Sequence, residues 1–302
     1  MGWDGEWIVA HQVPATDLPS GRAKLVKMAA AAVREALQPL ELAPEGSLPL
    51  LLCVPETERP GRLAEIDDVL FEALQKELSY RFHPTLSAIV PHGRASVPLA
   101  LGQAHRLWME HGQQRVLITA VDSYNWWPTL MHYQRTRRLL TPLNTNGFMP
   151  GEAAAAVLVG AATGGGLECI GVGQGFEAAH IESEQPLRAE GLTQAIRSAL
   201  QDAGCSLETL DFRITDLAGE QYYFKEAALA LARTLRVRKE EFDIWHPAEC
   251  VGEVGSAIGG VMLAVALAAC RNGYAPGPGI LIHAGTDAGR RVAAVLRYRG
   301  ET

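Results

Sequence analysis

Apolar positions recur every three or four residues over 23–40 (AKLVKMAAAAVREALQPL), and then the spacing collapses: LPLLLCV at 48–54 is apolar throughout but for its proline. The first pattern predicts an amphipathic helix and the second a strand covered on both faces. Helical spacing returns at 63–78 and again from about 97 to 111, while short apolar runs at 87–90 and 115–121 predict strands. Two further strands are predicted at 152–162 and 167–176. Past residue 190 the order restarts, with helices predicted at 192–204, 225–235 and 255–273 and strands at 211–219, 279–287 and 290–299. Helices alternating with apolar strands predict an α/β architecture.

The restart is close enough to indicate duplication. Ser96 leads a helix rich in small residues that stops at Gly112, just before RVLITAVDS. Ser256 leads another that stops at Asn272-Gly273, a C-cap signal, just before GILIHAGTD. Asp122 and Asp287 follow their strands at matching points. Two halves, 1–163 and 164–302, are therefore expected, the first carrying an extra loop at 124–151. A site is expected where the two helices begin.

Composition narrows the function classes. The chain has 302 residues, enough for a large core, and its 27 basic against 34 acidic side chains give a net charge of −7. RTRRLL (135–140) is its densest basic cluster and reads as a solvated helix face, so nucleic acid is not an expected partner. Five scattered cysteines (Cys53, Cys169, Cys205, Cys250, Cys270) fit buried thiols in a reducing compartment. MGWDGEW lacks the charged and apolar regions of a secretory signal, and the longest apolar stretch, 257–270, is shorter than a membrane span. These features predict a cytoplasmic protein with no membrane partner.

Four stretches carry a resemblance. They are NTNGFMPGEAAAAVLV (144–159), GLTQAIRSALQDAG (191–204), GEVGSAIGGVMLAVALAACRNG (252–273) and HAGTDAGRRVAAVLR (283–297). With 91–122 they resemble, in order and spacing, the thiolase-like superfamily, closest to the β-ketoacyl-acyl-carrier-protein synthases. The resemblance implies a five-layered αβαβα fold of two duplicated halves. It also implies a nucleophilic Cys at a helix N-terminus and two His side chains. Carried onto this chain, the Cys position falls on Ala95, or on Arg94 if the register slips by one, and the two His positions on Ala218 and Glu253. The expected molecule is a degenerate ketosynthase-like protein that keeps the platform without the Cys-His-His set. The family's first strand is not evident in the first 20 residues.

Several residues admit two readings. Ser96 is the hydroxyl at the helix start: a substitute nucleophile activated by Glu253, or an N-terminal capping residue. His246 and Cys250 are four apart: a relocated pair or metal ligands, or structural residues, since no second ligand pair follows and Pro247 interrupts a helix. Arg94 either pairs with Glu253, sealing the vacated site, or binds an anionic group such as a phosphopantetheine phosphate. GVGQG (171–175) lacks dinucleotide-binding spacing and reads as strand and turn. Trp126 and Trp127 in the extra loop, with Tyr222 and Tyr223 in the corresponding loop region of the second half, are either buried caps or a partner surface. No cofactor and no metal are expected. The resemblance implies a homodimer through the strand from Ser87 to Val90, or a heterodimer with a paralogue. It permits a chaperone-like role with a type VI secretion effector or partnership with an active synthase. The rival expectation is an acyltransferase using Ser96 or Cys250.

Overall fold

The computed structural model describes residue 5 and residues 7–14, 20–38, 44–162 and 164–300. By contacts the chain divides into two units. The first comprises Met1–Ala161 with Cys250–Gly260, the second Ala162–Glu249 with Val261–Thr302.

In the first unit a helix α1 (Arg22–Leu37) leads to β1 (Leu50–Cys53), α2 (Asp68–Leu78), β2 (Ala88–Val90), α3 (Ser96–His111), β3 (Arg115–Ser123), α4 (Trp127–Arg135) and β4 (Glu152–Gly160). The sheet order is β2-β1-β3-β4. β1 runs parallel to β2 and β3, and β4 is antiparallel to β3. The apolar stripe of α1, Leu25, Ala29 and Val33, packs in one cluster with Leu50 and Leu52 of β1, Leu117 of β3, and Leu70 and Leu74 of α2. That is why β1 is apolar at every position: its pattern is buried throughout.

The second unit starts with β5 (Gly166–Phe176) and α5 (Glu190–Ala203). It continues with β6 (Phe212–Thr215), α6 (Gln221–Thr234), β7 (Ile244–Trp245) and α7 (Ala248–Val251), the last of which crosses into the first unit. After α8 (Ile258–Arg271) come β8 (Gly279–Gly285) and β9 (Arg290–Arg299). The sheet order is β5-β9-β8-β6-β7, with β6 parallel to β7 and β8, and β9 antiparallel to β8 and β5. Leu192, Ile196 and Leu200 of α5 pack with Ala230 of α6, Leu281 of β8, and Ala293 and Val295 of β9.

Four expectations change. The helix predicted over 63–78 begins only at Asp68, because Glu65 takes a left-handed φ of 55° that no helix interior accepts. The extra loop at 124–151 contains α4, opened by Pro128 at its first turn. Tyr222 and Tyr223 stand on the first turn of α6, not in a loop. The strand predicted over 211–219 ends at Thr215. The last residues of the first predicted helix, 39 and 40, lie outside the described residues. Among the described residues no helix is long and apolar enough to cross a membrane.

Candidate functional site: two filled helix starts

Two turns in the first unit share one construction. After β2, Pro91 and His92 lead to Gly93, whose φ is +51°, then a 3-10 turn over Gly93–Ala95 feeds α3. After α7, the chain reaches Gly255 at φ +53°, then a 3-10 turn over Gly255–Ala257 feeds α8. The left-handed region strains any L side chain, so glycine is the residue of choice at both.

In both turns a carboxylate occupies the space of the missing side chain. A Cβ on Gly93 would lie 2.1–2.3 Å from the Glu56 carboxyl group, and one on Gly255 would lie 1.9 Å from Asp122 Oδ2. Helix starts expose unpaired N–H groups and partial positive charge, so an acid there is favourable. Asp122 shows the full pattern. Its Oδ2 accepts from the Ser256 N–H (3.0 Å), the Ser256 hydroxyl (3.3 Å) and Arg59 Nη1 (2.6 Å), while its Oδ1 accepts from the Ser123 N–H (2.7 Å).

Arg94 and Glu253 meet, as one sequence reading expects, and both belong to the first unit. Arg94 Nη1 donates to Glu253 Oε2 at 3.2 Å, and both side chains are 4 % exposed. The other Glu253 oxygen accepts from the Gly255 N–H at 2.8 Å. The Glu253 backbone bridges to the segment before β4: its N–H donates to Met149 O (2.7 Å) and its carbonyl accepts from the Gly151 N–H (2.9 Å). Burial opposes charge on Arg59, but the facing Asp122 carboxylate together with Tyr124 and Glu56 outweighs it, and the guanidinium is held more firmly protonated than usual. Its plane lies 4.7 Å from the Tyr124 ring centre. Burial, aided by Tyr133 and Glu253, pushes the Tyr124 phenol well up. Three carboxylates and two guanidiniums thus make a locked ionic cluster, and none of them is a soft nucleophile.

Ser96 is fully buried. Its hydroxyl donates to Val90 O (2.9 Å) and accepts from the His92 N–H (3.0 Å), lacing the turn together across α3's first residue. Ala95 is also fully buried. The nearest cysteine in sequence, Cys53 at the end of β1, is buried, and desolvation raises its thiol far above the range where thiolate forms. Cys250 is exposed on α7. Trp126 is half-buried and Trp127 is 57 % exposed at the start of α4.

In the second unit Ala218 is half-buried in the segment after β6. Tyr222 donates its hydroxyl to Ala179 O (2.7 Å), and Tyr223 donates to Asp287 Oδ1. Arg291 joins them: Nε faces both Glu226 oxygens at 2.8 and 2.9 Å, and Nη2 reaches the Tyr222 oxygen at 3.1 Å. His246 Nδ1 stands 3.0 Å from Glu249 Oε1. Among the described residues no group of three or more His, Cys, Asp or Glu is arranged to hold a metal ion.

Sequence reading missed Glu56 and Arg59 altogether and used Asp122 only as a marker of the repeat. It also missed His283, buried on β8, whose imidazole is pushed down to about 3 by burial and then by Arg213 and Arg291. A lone His inside the apolar run GILIHAG was the available signal. Lys24 and Glu152, a buried pair, went unnoticed because they lie 128 positions apart and neither pattern hints at a partner.

Two sheets of this order, flanked by helices and with glycine-led turns into α3 and α8, make a thiolase-like α/β fold. Solved structures with that fold superpose over nearly the whole chain. The ishigamide ketosynthase/chain length factor matches with a TM-score of 0.73 and 18 % identity, covering 96 % of this chain and 85 % of that one. A β-ketoacyl synthase from Burkholderia phymatum STM815 gives 0.71 and 15 %, covering 96 % and 88 %. The ketosynthase ApeO in complex with its chain length factor ApeC, from Xenorhabdus doucetiae, gives 0.69 and 13 %, covering 95 % and 86 %. No family model and no curated protein sequence matches the chain.

Proposed function

We propose that this chain is a non-catalytic ketosynthase-like protein that acts by binding another protein, as the accessory partner of an active synthase. One observation carries the reading: at the helix start where a ketosynthase-like protein would present its thiol, the turn bears no thiol and the Glu56 carboxylate fills the side-chain space at Gly93. A carboxylate already seated beside this turn takes the space that a thiol and its thioester would need. Arg94 supports the same view, because its charge is satisfied by Glu253. Ser96 has its one proton engaged with Val90 O, and no base is paired with it.

The halves 1–163 and 164–302 are read as products of one duplication, and the cytoplasm as the compartment, given that all five cysteines are free. Solved neighbours include a ketosynthase in complex with its chain length factor. A heterodimer with a paralogue, or a homodimer, would use β2, an edge strand whose Ala88 is exposed. A secretion effector is the other binding partner the fold resemblance permits.

The test has two arms. Incubated with malonyl or acyl thioesters, the full chain should show no covalent adduct by intact mass. Affinity purification from the native cell should recover a synthase subunit that carries an active-site cysteine. An adduct that disappears in Ser96→Ala or Cys250→Ala overturns the reading in favour of an acyltransferase. Recovery of an effector instead moves the partner to secretion.

A further inference from the structure

We infer that two buried ion pairs, Lys24–Glu152 and Glu226–Arg291, are sorting labels of opposite sign that direct each helix layer onto its own sheet as the chain folds. The need for labels comes from the likeness of the sheets. The order β2-β1-β3-β4 recurs strand for strand as β7-β6-β8-β9, with the same parallel and antiparallel pairings. Leu117 of β3 lies between Leu50 and Leu158, and Leu281 of β8 lies between Arg213 and Val295. Both leucines face a helix pair, α1 with α2 in the first unit and α5 with α6 in the second. A helix layer built for one sheet therefore meets much the same backbone on the other.

The charges break that likeness. Four residues back from Leu158 stands Ala154, and four back from Val295 stands Arg291. Six back stand Glu152 and Gly289. At these two positions the first sheet carries a buried carboxylate and the second a buried guanidinium. Arg213 adds another buried cation where the first sheet has Leu50. The helices answer in sign. Lys24 of α1 donates to Glu152, with both side chains buried. Glu226 of α6 accepts from Arg291 Nε at 2.8 and 2.9 Å, again with both buried. α2 instead meets its sheet with Leu70 and Leu74.

Exchange the layers and both labels fail. On the second sheet, α1 would set Lys24 over Gly289, two residues from Arg291 on the same face, while α2 would offer Leu70 and Leu74 in place of Glu226. On the first sheet, α6 would set Glu226 over Ala154, two residues from Glu152. Each wrong docking buries unpaired or like charges, which costs far more than the apolar contact returns. Rejection of this kind is how a surface tells two similar partners apart. Stability alone does not call for such pairs, because apolar side chains of similar volume stabilise a core as well or better. Chains built from similar parts fail chiefly by misassembly of those parts, and that is the error these pairs exclude.

Reversing one label tests the idea in the full chain. Glu226→Lys/Arg291→Glu keeps a complementary pair in the second unit but gives it the sign of the first. Its folded molecules should keep the parent's urea midpoint. The fraction that regains the native hydrogen-exchange pattern after dilution from urea should fall by at least about threefold. Glu226→Leu/Arg291→Met erases the label and should also lower recovery, although an apolar pair holds or raises the midpoint. Ala230→Gly weakens α6 with both labels intact, so the midpoint should drop while recovery stays near the parent's. Recovery unchanged in either double variant, or recovery that simply follows the midpoint across all three variants, overturns the proposal.

Discussion

The starts of α3 and α8 use the same backbone and the same kind of filler, yet they differ in how firmly the filler is held. At Gly255 the acid is Asp122, a β3 residue 1 % exposed that answers the helix N–H, a serine hydroxyl and a buried arginine. At Gly93 the acid is Glu56, a half-buried residue of the loop after β1 that reaches the turn on a longer side chain. Identical turns therefore do not imply equal rigidity. One is braced by a strand, the other by a loop.

The largest effect should come from Asp122→Ala. It leaves Arg59 buried without its counter-ion and the Ser256 N–H without an acceptor, and should cost about 3–5 kcal/mol. In chemical denaturation this reads as a lower midpoint with an unchanged slope. Glu56→Ala should cost distinctly less, and a loss as large as that of Asp122→Ala would erase the contrast.

Next comes the Arg94–Glu253 pair. Glu253→Ala alone should destabilise by about 3 kcal/mol, while Arg94→Met with Glu253→Leu should regain most of it, because an apolar pair of similar size needs no desolvation of charge. A double variant no better than the single one would show that the Gly255 N–H bond matters more than the ion pair.

Gly255→Ala and Gly93→Ala both add a Cβ in a left-handed backbone, costing roughly 1 kcal/mol before any clash. The clash with Asp122 should make Gly255→Ala the worse of the two, and Glu56→Ala should relieve Gly93→Ala. Equal melting temperatures for the two alanine variants would argue against the brace.

The last effect lies in the second unit and is read against pH. His283 is kept neutral down to about 3, so the unfolded chain takes up its proton first. Its depressed value favours the fold above pH 6.5 and withdraws that support as pH falls toward 3, with a slope near 1.4 kcal/mol per pH unit. His283→Asn should flatten stability against pH over that window. An unchanged acid slope would place the imidazole's proton elsewhere.

Much of this was legible in the residue pattern because periodicity reports burial. β1, α1, α5 and the two small-residue helices all stand where their spacing puts them. Arg94 and Glu253 were legible as a pair because the resemblance sets one beside the expected Cys position and the other at an expected His position. Glu56 and Asp122 were not, since they meet glycines 37 and 133 positions away in the numbering and carry no local signal. α4 was hidden because its nine residues (WPTLMHYQR) mix aromatic and polar groups without a clear stripe. Tyr222 and Tyr223 were read as loop by correspondence with the extra loop of the first half, yet both stand on α6, where Tyr223 turns inward and Tyr222 donates to a carbonyl.

Residues 250–260 complete the first unit although about ninety intervening residues belong to the second. During synthesis, then, Asp122 and Arg94 leave the ribosome long before Ser256 and Glu253 exist to answer them. At roughly 5–20 residues per second the nascent chain spends several seconds or more before the Ser256 N–H and the Glu253 carboxylate can join them. The first unit is begun early and finished late, and a chaperone acting on this protein would find its most exposed interval there.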